Sequence, residues 1–528
     1  MSEAARQTHQ EERALSDIRD VVVIGGGPTG LALAIALRQY GVDTTVVDKE
    51  PSTKREPRAC VIWQRALEVL RDLGCADAFM RRGLPLARTE FHVGGRLAGV
   101  QPFALADTAF PRPLAIEQDD IESLLLDRLR LLGPDVQWST EAVAVRLHDE
   151  AADVDLRGPD GRTRTVSCRW VVSCEGSHSL VRKTLGIAFE GRQRVNLQCV
   201  QMNAKADWKH PRLDDTNRIF INHGVSLIAS PVPRGGTRFF GFRPDPDPLR
   251  STPPEVAEME ELVTMAAGGA DVRLTPTSPY WANRSRFQDR VAATLRQGRA
   301  LLVGDSAHLW APIGGRGLNT GLRGAHNLGW KLAAVQHGWA TDALLDTYGH
   351  EQRRTALTVI RHMRRNLLEV PPNRPTLAVL GLLMPVALRS EHAARRGSVF
   401  LSDFASGHRD SPLSSGRAFR GGPGAPRPGD RVPDFACSAG TGPHSLHGLL
   451  SYQRWSLLLT GAGGSTSALR EITERYAMPI GLFRFRRTAD ATGDLLLVRP
   501  DGHVGLRARA TDHKALAAYL DRWLVRMG

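Results

Sequence analysis

Three glycines and one acid carry the most legible chemistry in the chain. Gly25-x-Gly27-x-x-Gly30 follows the β-forming run Val21–Ile24 and precedes an alanine- and leucine-rich stretch ending at Tyr40. Asp48 closes the next β-forming run, Thr44–Val47, with Lys49 beside it. The pattern suits the diphosphate of a dinucleotide. Gly25 permits a tight turn, Gly27 lets the diphosphate lie against the backbone, and Gly30 lets the helix pack on the strand. The helix N-terminus, opening at Pro28 and Thr29, offers unpaired N–H groups and a positive dipole end. Asp48 is placed to accept hydrogen bonds from ribose hydroxyls. A second candidate begins at Gly304-Asp305, after the short apolar run Leu301–Val303, and continues through Pro312-Ile313-Gly314-Gly315-Arg316-Gly317-Leu318-Asn319 into a helix. An acid at a strand end can hold a ribityl or ribose hydroxyl, and a glycine loop opening a helix presents N–H donors to an electron-rich oxygen or ring nitrogen. Gly461–Gly464 also follows a strand, yet lacks the third glycine and the distal acid, and reads as a plain loop.

These groups need strands and helices to hold them. Strand, glycine turn, helix, strand and acid over residues 21–48 form one nucleotide-binding unit. Val154–Leu156 and Arg169–Val172 read as strands with a hairpin turn at Asp160-Gly161. Residues 190–290 alternate short β-like runs with proline turns, as in Arg218–Ile221 and Arg238–Phe242. After the second glycine loop, Leu322, Ala325, Leu328, Leu332 and Val335 recur at steps of three and four, which predicts a helix with one buried face. Residues 406–430 turn to Gly, Pro, Ser and Arg and read as a linker. The last hundred residues alternate strand- and helix-like runs, enough for one small α/β domain.

Composition excludes several classes. A chain of 528 residues holds more than one domain, and 42% hydrophobic with 24% charged residues is the make-up of a folded globular protein. The formal charge of +13 comes mostly from arginines scattered along the chain, with only seven lysines, so no basic block points to nucleic acid. Six cysteines include no CxxC pair and no zinc spacing, and no residue set is assigned to a metal. The first seventeen residues mix acidic and basic side chains without an apolar core. The longest apolar run, Thr376–Leu388, contains Pro385 and is shorter than the ~20 residues of a membrane span. A cytoplasmic protein with neither a membrane nor a nucleic-acid partner is expected.

Three elements together resemble a known family: Gly25–Gly30, the run Val171-Val172-Ser173-Cys174-Glu175-Gly176-Ser177-His178-Ser179-Leu180-Val181-Arg182, and Gly304-Asp305-Ser306-Ala307-His308 with Pro312–Gly321. Residues 17–400 are similar to the class A flavoprotein monooxygenases typified by p-hydroxybenzoate hydroxylase. The C-terminal hundred residues resemble the thioredoxin-like appendage of phenol hydroxylase and of polyketide-tailoring hydroxylases, non-redox here for want of CxxC. The resemblance implies an α/β fold: a Rossmann-like FAD-binding domain over 17–190 and 285–405, a β-rich substrate domain over 80–115 and 190–285, and a thioredoxin-like domain over 431–528.

It also implies an activity. Such enzymes hold FAD, take electrons from NADPH or NADH, bind O2 at the flavin C4a and hydroxylate an electron-rich aromatic ring, here phenolic or polycyclic; epoxidation, Baeyer–Villiger insertion or a non-oxygenating shielding role share the scaffold. Because the cofactor carries the chemistry, no catalytic side chain is assigned. In the family pattern Arg58 lies near the flavin, Gln118 contacts FAD, Asp305 meets the ribityl chain, and Gly317, Leu318 and Asn319 border the flavin pyrimidine, with Pro312 and Gly315 also in the cofactor-binding set. Glu175 stands where the family usually has Asp, Arg316 where Gln is frequent, and Gly324 where Asp is frequent. Arg316 beside the flavin would favour the reduced, anionic cofactor. His308, Trp310, Trp63, His223 and Tyr280 could serve as catalytic or substrate-stacking groups, but core packing or a satisfied buried polar group is the favoured reading of each; a homodimer through the appendage is an analogy of fold.

Overall fold

The computed structural model describes residues 18–53, 60–269, 271–311, 313–363, 372–416, 426–439, 442–460, 465–485 and 494–528. Arg58 and Pro312, and the loop Gly461–Gly464, lie outside these.

β1 (Arg19–Ile24), α1 (Pro28–Gln39) and β2 (Thr44–Val47) form a βαβ unit in which β1 and β2 run parallel, Val21 beside Thr44 and Ile24 beside Val47. Helices α2 (Gln64–Asp72) and α3 (Gln118–Arg130) follow, and β3 (Thr163–Ser173) pairs parallel with the other edge of β1. The strand Ala300–Leu302 extends the sheet beyond β3. Val21, Val22 and Val23 are wholly buried, as a strand covered on both faces requires.

The chain leaves this layer to build a nine-stranded sheet, whose main members are β4 (Phe189–Asp207), β5 (Thr216–Asn222), β6 (Val225–Pro231), β7 (Thr237–Pro244) and β8 (Ala282–Ala292). Strands 88–93 and 96–102 complete one edge. Alternation gives the sheet two faces. Met202, Phe220, Leu227 and Phe239 pack under α4 (Val256–Ala266). Cys199, Ile221, Phe240 and Phe242 point the other way, into a second apolar layer with Val61, Trp63, Phe103, Phe287 and Ala311.

Helices α5 (Arg316–Gln336) and α6 (Ala343–Met363) return to the first layer; α7 (Arg374–Arg389) and α8 (Glu391–Leu401) follow at a 95° bend. Among the described residues no single helix is long and apolar enough to cross a membrane. On α5 Leu322, Ala325, Leu328 and Leu332 of the expected apolar face are buried and Val335 is half-buried, but Arg323, Asn327, Trp330 and Lys331 are buried too. The reason is a second cover, the C-terminal unit. There β9 (Trp455–Thr460), α9 (Thr466–Thr473) and β10 (Ile480–Phe485) form a parallel βαβ, followed by the antiparallel β11 (Asp494–Val498) and β12 (Val504–Arg509) and by α10 (His513–Trp523). The order β10-β9-β11-β12 is thioredoxin-like.

The described parts of 406–430, read from composition as a linker, are fastened down. Leu413 is wholly buried, and the N–H groups of Ser415 and Gly429 donate to Gly505 and Val504. Backbone pairing and a few small side chains do this, which composition does not register.

Candidate active site

At Gly25 φ is +112°, and a Cβ there would lie 2.4 Å from the Cys174 carbonyl oxygen. At Gly30 a Cβ would lie 1.9 Å from the Gly25 carbonyl oxygen. Both positions are closed to any side chain. At Gly27 the space is open, with nothing within 4 Å of a built Cβ. Gly27 is the N-cap of α1, no side chain caps that turn, and no acidic residue lies in it. The turn therefore presents free N–H groups beside empty space, and an anionic diphosphate fits it.

Asp48 is half-buried at the end of β2. Its Oδ2 accepts from the Gly26 N–H at 2.6 Å and its Oδ1 from the Glu50 N–H at 2.8 Å. The carboxylate thus rivets the glycine turn, and each oxygen keeps a lone pair for a hydroxyl donor. Lys49 is exposed beside it.

The second loop meets the first at Thr29. A Cβ built on Gly304 would lie 2.9 Å from Thr29 Oγ1, and one on Gly321 2.5 Å from it. The absence of side chains at both glycines lets α1, the Gly304-Asp305 turn and α5 converge. Asp305 is exposed in a single 3₁₀ turn, Gly304–Ser306. Gly314 and Gly315 adopt left-handed conformations, φ 71° and 63°, and Gly315 caps α5 without a side-chain bond or a first-turn acid. A Cβ on Gly317 would meet nothing within 4 Å, and Leu318 is half-buried. The two helix N-termini, α1 and α5, are thus both uncapped and open at a glycine, and a long ligand with a diphosphate and an electron-rich ring fits across them.

Other predicted residues have different partners. Asn319 is buried and braces the loop: its Oδ1 accepts from the Trp63 N–H at 2.8 Å, and its Nδ2 donates to the carbonyls of Val61 and Gly315 at 3.0 and 2.6 Å. Gln118, the first residue of α3, donates to Glu122 at 2.9 Å. Glu175 accepts from the hydroxyls of Ser173 and Ser179 and from the Leu180 and Val181 N–H groups. It thus takes the first two N–H groups of the short helix Leu180–Thr184, whose N-cap is Ser179. Arg316 departs from expectation. Its guanidinium is buried away from the loop, donating to the Phe400 carbonyl at 2.7 Å, lying 4.2 Å over the Phe400 ring and 3.5 Å from Asp403. Asp403 is a buried anion that the sequence does not place nearby, and it takes the cation.

The loop faces the aromatic layer of the large sheet. Trp63 Nε1 donates to the Gly314 carbonyl at 2.6 Å. His308 stacks on Trp310 with ring centroids 4.7 Å apart, and burial pushes its imidazole down to about 4, so it is neutral at pH 7. Tyr280 and His223 are exposed, not core groups. Among the described residues, the buried donors on this side without a hydrogen-bond partner include the Trp310 indole N–H and the hydroxyl of Ser226, which lies opposite Phe242 on the same sheet face. Sequence reasoning passed over Ser226 because a lone serine in a strand carries no signal until the sheet register is known. The Cys60 thiol is buried nearby and pushed up to about 11 by desolvation, which makes it a poor nucleophile.

Comparison with known proteins agrees with this arrangement. An FAD binding domain model matches residues 19–363, and a model of the aromatic-ring hydroxylase C-terminus matches residues 425–526. The chain is 32% identical over 494 residues to a rifampicin monooxygenase of Streptomyces venezuelae, covering 92% of this chain and 94% of that one. Its fold is similar to an anhydrotetracycline hydroxylase from Streptomyces rimosus, with TM-score 0.75, 28% identity and coverage of 96% and 98%. It is also similar to a Diels-Alderase of pyrroindomycin biosynthesis, with TM-score 0.75, 27% identity and coverage of 96% and 99%. With the glycine cradle, the placed acid and the C-terminal unit all present in one chain, this protein belongs to the FAD-dependent aromatic monooxygenases.

Proposed function

We propose that this enzyme uses NADPH or NADH and O2 to hydroxylate a phenolic or polycyclic, polyketide-like aromatic compound. FAD spans the two open helix ends. Gly25, Gly27, Thr29 and Gly30 take the diphosphate, Asp48 and Lys49 the adenosine end, Gln118 and Asp305 the ribityl side, and Gly315, Gly317, Leu318 and Asn319 the pyrimidine. Glu175 borders the same path, and the family resemblance adds Arg58 and Pro312 to the cofactor-binding set. The observation that carries this reading is the pair of uncapped helix N-termini, each open at a glycine, on two helices that approach closely at Thr29 and Gly321.

Bound FAD supplies the electron transfer and the activation of O2. The chain's own residues do the rest. The N–H groups at the start of α5, aided by its dipole, hold negative charge on whatever lies against Gly317 and Leu318. Asn319 keeps that turn closed onto Val61 and Trp63. Phe240, Phe242 and Phe287 give a planar apolar ring a wall and exclude water from it. The unpartnered Ser226 hydroxyl and Trp310 N–H suit an oxygen-bearing substrate, since a buried donor left alone is costly. His308, neutral, adds no charge to this side.

The similarity to a Diels-Alderase gives a second reading, a flavin-bound protein that shapes a reaction without oxygenating. A panel of phenols and polycyclic quinones separates the two. Substrate-stimulated NAD(P)H oxidation with a hydroxylated product supports the monooxygenase; a yellow protein inert to every reductant supports the alternative.

A further inference from the structure

The start of α2 is held from two sides. On one side Trp63 is tied to the flavin loop, its N–H to Asn319 and its indole to Gly314. On the other, two residues along, the guanidinium of Arg65 donates to the backbone carbonyl of Asp501 at 2.6 Å, deep in the C-terminal unit, and to Glu68 at 2.7 Å. Glu68 is wholly buried and is also gripped by two donors, Nε and Nη2, of the Arg431 guanidinium. Burial alone would raise its carboxyl; Arg431 first and Arg65 next hold it well below the usual range. The turn that offers the Asp501 carbonyl is fixed in its own right. The Asp501 carboxylate accepts from Arg499, and from Asn327 and Trp330 of α5 at 2.9 and 3.1 Å. One turn of the C-terminal unit therefore grips both elements that bracket the flavin loop, α2 through Arg65 and α5 through Asn327 and Trp330.

A buried arginine is a poor way merely to glue two layers together, because its desolvation offsets much of what its pairing returns, and apolar residues of similar volume glue as well. What it adds is direction. A planar fork bonded to a carbonyl and to a carboxylate adds geometric specificity to the contact.

We propose that Arg65 is a positioning residue through which the C-terminal unit sets the flavin loop, so that Asp501 and Arg431, far from the cofactor in sequence, tune how FAD is held. The inference rests on the placement of the flavin at Gly315–Asn319 given above.

The test uses full-length apoprotein titrated with FAD, followed by flavin fluorescence and by the visible absorption bands of the bound flavin. Wild type binds. Arg65→Met, similar in length but without donors, is expected to weaken FAD binding tenfold or more and to shift the bands. Arg65→Lys keeps the charge beside Glu68 but cannot span both partners, and is expected to lose about threefold; it decides the matter alone if Arg65→Met does not fold. Tyr519→Phe is the control: it removes a buried bond to the Leu413 carbonyl inside the C-terminal cover and lowers the melting temperature without touching α2. It is expected to leave affinity and bands unchanged. Wild-type affinity and spectrum in both Arg65 variants would overturn the proposal. So would a loss of affinity in Tyr519→Phe that matches Arg65→Met at equal loss of melting temperature. Wild-type apoprotein that takes up no FAD would instead defeat the placement of the flavin itself, and the coupling with it.

Discussion

The cofactor cradle and the seam with the C-terminal unit are built on opposite principles. The cradle works by omission: at Gly27 and Gly317 nothing lies within 4 Å of where a side chain would start, and the working groups are backbone N–H donors. The seam works by saturation. Glu351 of α6 accepts from Arg499, Lys331, Asn327 and Ser411, with the side chains of Glu351, Arg499 and Lys331 all fully buried. Two acids, Glu351 and Asp501, face two cations, Arg499 and Lys331, so the buried charge closes. An open cradle depends on its shape and on the few polar groups, such as Asp48, that complete it. A closed ionic cluster tolerates no loss of a member.

That contrast is broken most severely at the seam. Glu351→Leu leaves Lys331 and one edge of Arg499 buried without their carboxylate, and is expected to cost about 3–5 kcal/mol of stability, read as denaturant unfolding of the holoprotein. A loss within the range of an exposed ion pair, below about 1 kcal/mol, would mean the cluster is wetter than it is drawn. Asp48→Ala acts at the cradle, where it frees the Gly26 N–H and removes an acceptor for ribose; FAD affinity is expected to fall about tenfold, roughly 1.4 kcal/mol, with little change in apoprotein melting. Full flavin retention in that variant would remove Asp48 from the site.

Acid acts on the seam as well. Burial pushes His503 down to about 4, and lowers His408 and His447 as well, each within the seam. Their folded values lie below the ordinary 6.5, so the unfolded chain binds more protons between the two. The stability they permit is therefore whole above pH 6.5 and is lost as pH falls toward 4. Melting temperature followed against pH should decline across that window, and a flat profile would show that these imidazoles are solvated.

The same contrast explains what the sequence makes legible. Gly25, Gly27, Gly30 and Asp48 stand within one βαβ unit, so spacing alone places them. The turn at Gly304-Asp305 and the loop at Gly315–Asn319 are legible for the same reason. The side chain of Arg316 is not, because its partner Asp403 lies across a separate helix. Nor is the pairing of Glu351 with Arg499, 148 residues apart: a charged residue in a sequence looks solvated until the fold supplies its counter-charge. Asn327 and Lys331 look like the polar face of a surface helix, and the C-terminal unit makes that face an interior. Ser226 gains meaning only from the strand register that sets it beside Phe242.

Gly27→Val tests the central claim most directly, because φ at Gly27 is −75° and any residue can adopt it without strain. The variant apoprotein should fold and melt like wild type while its FAD affinity, measured by fluorescence titration, falls a hundredfold or more as the side chain fills the diphosphate space. A variant that binds FAD as wild type does would contradict the cradle and everything placed along it.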